Sequence, residues 1–432
     1  MKHGGWKWRP RRVLRAGIAR LGLLSVVLTS VACQPATRVR PTPTLTQTAT
    51  AAPSPTRAST AAPSPTATPT GTPAPSPRAT PVPLPTPTPA PSPAATLTRG
   101  PYLQSVTTDS IIVAWETDRP IHGEVAYGET ETYSTRVSSP AEGTRHAVTL
   151  TGLASYTLYH YRVESGGAPL STDATFRTAP EPDQARFTFV AFGDTRTQHR
   201  VHQALVKRIV GLAPDFVLHT GDLVADGGSA DEWETFFEIE RELMAYAPVF
   251  PTLGNHERNS REYFDLFYLP GNEHWYAFDY SNARFVCLQV DGYARFTPQS
   301  EQYAWLEETL AANTQPWLFV AFHVPPYTSA VGGRLEGIVR EALTPLFERY
   351  GVDVVLNGHQ HNYERHEVNG VTYVVTAGGG APLYAAVERE PTQAAFALAH
   401  HFVLLRIDGS RLQGTAVSST GEVLDEFERS AE

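Results

Sequence analysis

The sequence predicts an α/β domain with a small all-β sandwich in front of it, and three observations carry that expectation. After residue 184, apolar runs end one after another in polar clusters of metal-ligand type and alternate with helical stretches. From 97 to 179 the runs are short and alternating, separated by turn signals. Ahead of both lies a Pro-, Thr-, Ala- and Ser-rich stretch whose composition cannot bury a core.

Residues 1–33 read as an export signal. Seven basic residues from Lys2 to Arg20 precede the apolar "LGLLSVVLTSVA" and then Cys33. An apolar stretch of that length is too short to span a bilayer, which takes about 20 residues. "SVAC" resembles a bacterial lipoprotein box in which Cys33 would carry the lipid and tether the protein to a membrane. Ser30 stands where the usual Leu would be, so ordinary cleavage after Ala32 is the alternative. Arg11-Arg12 also suits twin-arginine export of a folded protein. Residues 34–96 hold 18 of the 36 prolines and read as a disordered linker or polyproline II stalk with a reach of roughly 190 Å.

Residues 97–180 supply "SIIVAWET", "HGEVAYG", "RHAVTLTGL", "LYHYRVES" and "DATFRTA", with Trp115 as a core-type residue. Period-two alternation makes these half-buried strands of a sandwich. "LTGLASYTLYHYRV" resembles the tyrosine-corner region of fibronectin type III domains, with Tyr159 at the corner. The expected role of this module is to brace its neighbour.

Residues 184–430 form the α/β part. "ARFTFVAFGD", "PDFVLHTGD", "APVFPTLGNHE", "PWLFVAFHVP" and "VDVVLNGHQH" are strands, and helices are expected near 198–210, 231–245, 299–313 and 334–350. Strands that end in functional residues collect a site at their carboxyl ends. "GVTYVVTAG", "HFVLLRIDG", "RLQGTAVSS" and "EVLDEF" read as further strands on an antiparallel edge. "AGGGAP" at 377–382 lacks the Lys-Ser/Thr of a phosphate loop and reads as a turn. Cys287, in "ARFVCLQV", reads as a small buried hydrophobe.

Charge excludes one class of partner. Of 35 Lys+Arg, 12 precede Asp109, the first acidic residue, so the remainder of the chain sets 23 basic against 44 acidic side chains. Such a surface repels polyanions, and no nucleic-acid interface is expected.

The strand-end clusters are Asp194, Gly221-Asp222, "GNHE" at 254–257, His323, and "GHQH" at 358–361. None is specific alone. In this order they resemble the calcineurin-like metallophosphoesterases, and "GHQHNYER" is similar to the purple acid phosphatase branch, whose catalytic domain also follows a β-sandwich. The resemblance spans roughly residues 99–428. It implies a four-layer α-β-β-α sandwich preceded by a fibronectin type III-like domain. It also implies a binuclear centre in which Asp222 bridges, Asp194 and His361 hold one metal, and Asn255, His323 and His359 hold the other. Mixed oxygen and imidazole donors suit Fe, Mn or Zn. Alternation along an extended strand end would put His359 and His361 on one side. His256 matches the family histidine that touches phosphate and protonates the leaving oxygen, with a metal-bound hydroxide as nucleophile. His219, His366, His400 and His401 are read as orienting or structural.

The resemblance breaks at one metal. Purple acid phosphatases place a Tyr three residues after the bridging Asp, where this chain has Ala225, so no tyrosinate colour is expected. Other members of the superfamily use a His two residues after the first Asp, where this chain has Arg196. If Thr197 caps a helix, His202 lines up with Leu205, Val206 and Ile209 on the face toward the sheet. His202 is therefore a candidate replacement ligand, with a core or orienting role as the alternative. Arg196, unable to coordinate, becomes a candidate for gripping phosphate.

The resulting expectation is an exported hydrolase using two metal ions on small phosphate monoesters or diesters. The alternatives are a nucleotide-directed phosphodiesterase or nucleotidase, and a decayed enzyme serving as a cell-surface binding protein.

Overall fold

The computed structural model describes residues 95–330 and 332–431. The expected signal segment, Cys33 and nearly all of the proline-rich linker lie outside the described residues.

The chain's first described strands form two facing sheets. Leu97–Gln104, Ser110–Ile121 and Gly143–Thr151 make a three-stranded antiparallel sheet. Thr135–Ser138, Gly123–Gly128, Leu158–Ser165, Ala168–Pro169 and Ala174–Arg177 make the second, five-stranded sheet. Alternating inward residues such as Val113, Trp115, Val125, Tyr161 and Phe176 are buried. Trp115 stacks on His146 with ring centroids 4.8 Å apart. The Tyr159 hydroxyl accepts the Ala154 N–H at 2.9 Å, the contact expected of a tyrosine corner.

Beyond residue 185 two larger sheets stack. The six-stranded sheet runs, in spatial order, Val249–Pro251, Phe216–His219, Arg186–Phe192, His401–Asp408, Arg411–Ser418 and Val423–Ser430. Its first three strands are parallel and the C-terminal three antiparallel. The seven-stranded sheet runs Tyr276–Tyr280, Ala283–Cys287, Trp317–Phe322, Val354–Asn357, Val371–Thr376, Tyr363–Val368 and Gln393–Ala397, with four parallel strands from Ala283–Cys287 to Val371–Thr376.

Three of the four late strands form the expected antiparallel end, His401–Asp408, Arg411–Ser418 and Val423–Ser430, with His401–Asp408 paired to Arg186–Phe192. Val371–Thr376 does not join them: it is interior to the seven-stranded sheet and parallel to Val354–Asn357. Local alternation marks a strand but carries no information about its pairing partner more than 200 residues away.

Among the described residues five helices flank the sheets: α1 (His199–Val210), α2 (Ala230–Tyr246), α3 (Arg261–Leu266), α4 (Glu301–Ala311) and α5 (Arg334–Arg349). The four longer ones match the expected stretches to within a few residues, whereas α3 lacked enough turns to show a period. Strand alternation assigns the faces. Val286, Val320 and Val355 pack with Leu306 and Leu310 of α4 and Val339 and Leu343 of α5. Their strand neighbours Phe285, Phe319, Val354 and Leu356 belong to the other core, which includes α1, α2 and the six-stranded sheet. The four layers are thus α1/α2, six-stranded sheet, seven-stranded sheet and α4/α5. Between the sheets lies an aromatic cluster in which Phe285 meets Phe189 edge-on at 5.2 Å and stacks on Phe319 at 4.8 Å.

The β-sandwich braces α2 and α3. Tyr102 and Tyr161 donate their hydroxyls to the Leu266 and Ala245 carbonyls, at 2.9 and 2.8 Å. Arg145 pairs with Asp265 at 3.0 Å.

Candidate metal centre

Six of the seven candidate ligands leave the carboxyl end of a parallel strand. Asp194 follows Arg186–Phe192, Asp222 follows Phe216–His219, and Asn255 follows Val249–Pro251, all in the six-stranded sheet. His323 follows Trp317–Phe322, and His359 and His361 follow Val354–Asn357, in the seven-stranded sheet. Asp194, Asp222 and His359 adopt positive φ of 58°, 55° and 70°. Non-glycine residues hold such backbone angles only where the surroundings over-determine them, which is common at functional sites. The turns are also tight. A Cβ on Gly254 would collide with Asp222, and one on Gly358 would sit 2.6 Å from the Thr220 carbonyl oxygen and 2.8 Å from Asp194 Oδ2.

The six residues converge in two sets that share Asp222. In one, Asn255 Oδ1 lies 3.1 Å from His323 Nε2 and 3.0 Å from His359 Nδ1, and Asp222 Oδ1 lies 3.3 Å from His323 Nε2. In the other, Asp194, Asp222 and His361 place one donor atom each within 4.8 Å of one another. Asp194 Oδ1 is buried, 3.2 Å from His361 Nε2, yet makes no aligned hydrogen bond. A buried carboxylate oxygen left in that state, facing imidazole nitrogens, fits a cation ligand.

Hydrogen bonds to backbone set the tautomers. His323 Nδ1 donates to the Thr220 carbonyl at 2.9 Å and His361 Nδ1 to the Pro382 carbonyl at 2.6 Å, which leaves both Nε2 lone pairs facing the centre. Burial and the neighbouring His323 push His359 down to about 4, so its imidazole is neutral and able to coordinate. Burial lowers His323, but the Asp222 and Asp194 carboxylates more than offset it and leave the group raised. Burial would raise Asp222, but His323 and His256 hold it below the usual carboxylate range.

His359 and His361 do meet the other donors, but strand alternation is not the cause. The strand ends at Asn357, and a turn through His359 aims each imidazole separately. Gln360 points to Glu336, with Nε2 donating to Oε1 at 3.0 Å.

His256 donates Nδ1–H to the Ala225 carbonyl at 2.6 Å, and its Nε2 lies 3.8 Å from Asp222 Oδ2. Its side chain is 26% exposed, which lets a bound molecule reach the ring. Arg196 places Nε 3.3 Å from Asp222 Oδ2 and Nη2 3.2 Å from His361 Nε2. Both residues, with Asn255, His359, Arg334 and Tyr384, line a cavity of about 720 Å³.

His202 is not brought to this centre. Its position on the buried face of α1 beside Leu205, Val206 and Ile209 is as the periodicity indicates. Its Nε2, however, is 2.6 Å from Glu240 Oε1 of α2, and its ring lies between Phe192 and Phe236. Packing of α1 against α2 supplies that partner. Nor does Thr197 cap α1: the N-cap is Gln198, with no side-chain cap, and Thr197 has φ of 82°.

Three contributions escaped sequence reasoning. Glu257 accepts N–H bonds from Asp222 at 3.0 Å, Leu223 at 2.8 Å and Gly254 at 2.7 Å, and so fastens two ligand turns together. Its place inside "GNHE" was the available signal. The "AGGGAP" turn also supports the centre, since Gly379 and Ala381 donate N–H bonds to the carbonyls of Gly193 and Asp194 at 2.9 and 2.8 Å. Tyr384 stacks on His361 with centroids 4.1 Å apart, and nothing local marks it.

Comparison with known proteins bears on the family and the fold. Residues 187–363 match the calcineurin-like phosphoesterase family, and residues 100–178 match the purple acid phosphatase N-terminal domain. A purple acid phosphatase of Glycine max is 30% identical over 316 residues, covering 63% of this chain and 66% of that protein. A phosphoenolpyruvate phosphatase of Allium cepa is 28% identical and covers 66% of each. A probable inactive purple acid phosphatase of Arabidopsis thaliana is 29% identical, covering 55% of this chain and 48% of that protein. The chain thus spans about half to two thirds of the length of these curated relatives. A purple acid phosphatase structure from yellow lupin seeds, Lupinus luteus, shares the fold with a TM-score of 0.68 at 24% identity, covering 77% of this chain and 74% of that one. With both matched segments in sequence and the four-layer fold in place, the chain belongs to the calcineurin-like metallophosphoesterases, in the purple acid phosphatase-like branch with its N-terminal β-domain.

Proposed function

We propose that this chain is a metal-dependent phosphoric ester hydrolase acting on small phosphate monoesters or diesters. The observation that carries the reading is the convergence of Asp194, Asp222, Asn255, His323, His359 and His361 into two donor sets, of which Asp222, Asn255, His359 and His361 line one cavity. Fe, Mn or Zn bound there supplies Lewis-acid charge for the phosphoryl oxygens and lowers the pKa of water. The remaining steps belong to the chain. His256, held by the Ala225 carbonyl, presents Nε2 to the cavity, where it donates a proton to the departing ester oxygen. Arg196 offers a fixed positive charge on the same wall for a phosphate oxygen. Glu257 keeps the Asp222 and Gly254 turns at one spacing, which positions the groups before substrate arrives.

The basic and apolar residues 1–33 support export, with Cys33 as the lipidation candidate and 34–96 as a spacer ahead of the folded part. Mass spectrometry of the mature N-terminus tests that placement: a chain that begins at Met1 would defeat it.

The function is tested by metal analysis coupled to mono- and diester assays on wild type and Asp222→Asn. Wild type is expected to carry metal and hydrolyse at least one ester class, and the variant to lose about 10⁴-fold in rate, or about 5 kcal/mol of barrier. A metal-free wild type with no esterase activity would overturn the reading.

A further inference from the structure

The two donor sets are unequal. Ligand atoms about 2.1 Å from one ion lie roughly 3 Å from each other. Asp222 Oδ1, Asn255 Oδ1, His323 Nε2 and His359 Nδ1 are chained together by separations of 3.0 to 3.3 Å, so four protein donors are available at that end. The second set has Asp194, Asp222 and His361. The next atoms at ligand spacing are not donors to a metal: Arg196 Nε is 3.3 Å from Asp222 Oδ2, and Nη2 is 3.2 Å from His361 Nε2. The guanidinium therefore stands where a fourth ligand would stand. It has no lone pair to give, and its charge is permanent. Neither neighbour repairs the shell. Ala225 contributes only its carbonyl, which holds His256, and His202 is bound to Glu240 in the core. At a side-chain exposure of 14%, Arg196 is poorly screened by solvent, so its repulsion toward a second cation acts at close range.

We propose that the centre binds one metal ion tightly, through Asp222, Asn255, His323 and His359, and that the Arg196 guanidinium substitutes for the second ion as the positive charge at the Asp194/His361 end. Phosphate is then clamped between one metal and one arginine. This inference rests on the metal-dependent reading above, but it concerns stoichiometry and is measured without turnover.

The experiment is Mn²⁺ titration by calorimetry, with metal content after dialysis against metal-free buffer, on the whole protein. Wild type is expected to retain one Mn²⁺ per chain, with any second site at least about 100-fold weaker. Arg196→Met, which removes the charge, and Arg196→His, which supplies a donor, are expected to tighten the second site by about tenfold or more. Arg196→Lys keeps a charge and is expected to stay at one ion, which separates charge from misfolding. Asp194→Ala is expected to leave the retained ion in place, and His323→Ala to lose it. Two retained ions in wild type would overturn the inference while leaving the functional reading intact, and so would unchanged second-site affinity in both Arg196→Met and Arg196→His. No Mn²⁺ binding at all would overturn both.

Discussion

The two sheets that meet at the centre bring different chemistry to it. The six-stranded sheet contributes oxygen donors, Asp194, Asp222 and Asn255, and the seven-stranded sheet contributes imidazoles, His323, His359 and His361. Neither sheet holds a metal shell by itself, because each set of donors crosses the interface. The Asn255 to His323 and Asn255 to His359 contacts join the sheets on one side, and the Asp194 to His361 contact joins them on the other. A centre split in this way reports on the packing between sheets, and that packing is aromatic.

The comparison breaks most severely if the interface is loosened. Phe285→Ala removes a buried ring that contacts Phe189 and Phe319 in the two-sheet core. A loss of about 3–5 kcal/mol is expected in denaturant unfolding. Metal affinity should fall with it, since the sheets no longer hold a single spacing. Unfolding at the wild-type midpoint would show that the interface is not what aligns the two halves.

A smaller and more selective effect is expected at His256, which serves the reaction and not the metal. His256→Ala should cost about 10²-fold in kcat, at the low end of general acid catalysis, with metal content and unfolding midpoint unchanged. The loss should shrink for esters whose leaving group departs without a proton, such as nitrophenolate. An equal loss for all leaving groups would make His256 an orienting residue.

The least effect is expected on the oxygen-donor side alone. Glu257→Gln keeps the side-chain volume but turns one acceptor into an amide donor facing the N–H groups of Asp222 and Gly254 or of Leu223. About 1–3 kcal/mol of stability should be lost. Metal release should become faster for wild type and variant alike on chelation, with the variant the faster of the two. A variant as stable as wild type would mean that the N–H bonds to Glu257 contribute little to the turns.

What was legible and what was not divides along the same line. Residues such as Asp194, Asp222 and His323 could be singled out because each ends an apolar run, and their order along the chain narrowed the family. His202 could be placed on the buried face of α1 by its spacing from Leu205 and Ile209, yet its partner could not be named. Glu240 lies 38 positions away on α2, and only the approach of the two helices selects it. The late strands show the same limit, since Val371–Thr376 and His401–Asp408 were recognisable as strands while their sheets were not.

The amino-acid sequence by itself therefore determined the local units: which runs become strands, which face of a helix is buried, and which residue types stand at strand ends. Those follow from periods of two and 3.6 residues, which act within a few neighbours. Tertiary structure alone decided the distances at which the six donors meet, that Glu257 fastens two turns, and that Arg196 stands at ligand distance from Asp222 and His361. Each of these is a contact between segments brought together by sheet packing, and no local pattern encodes the distance between them.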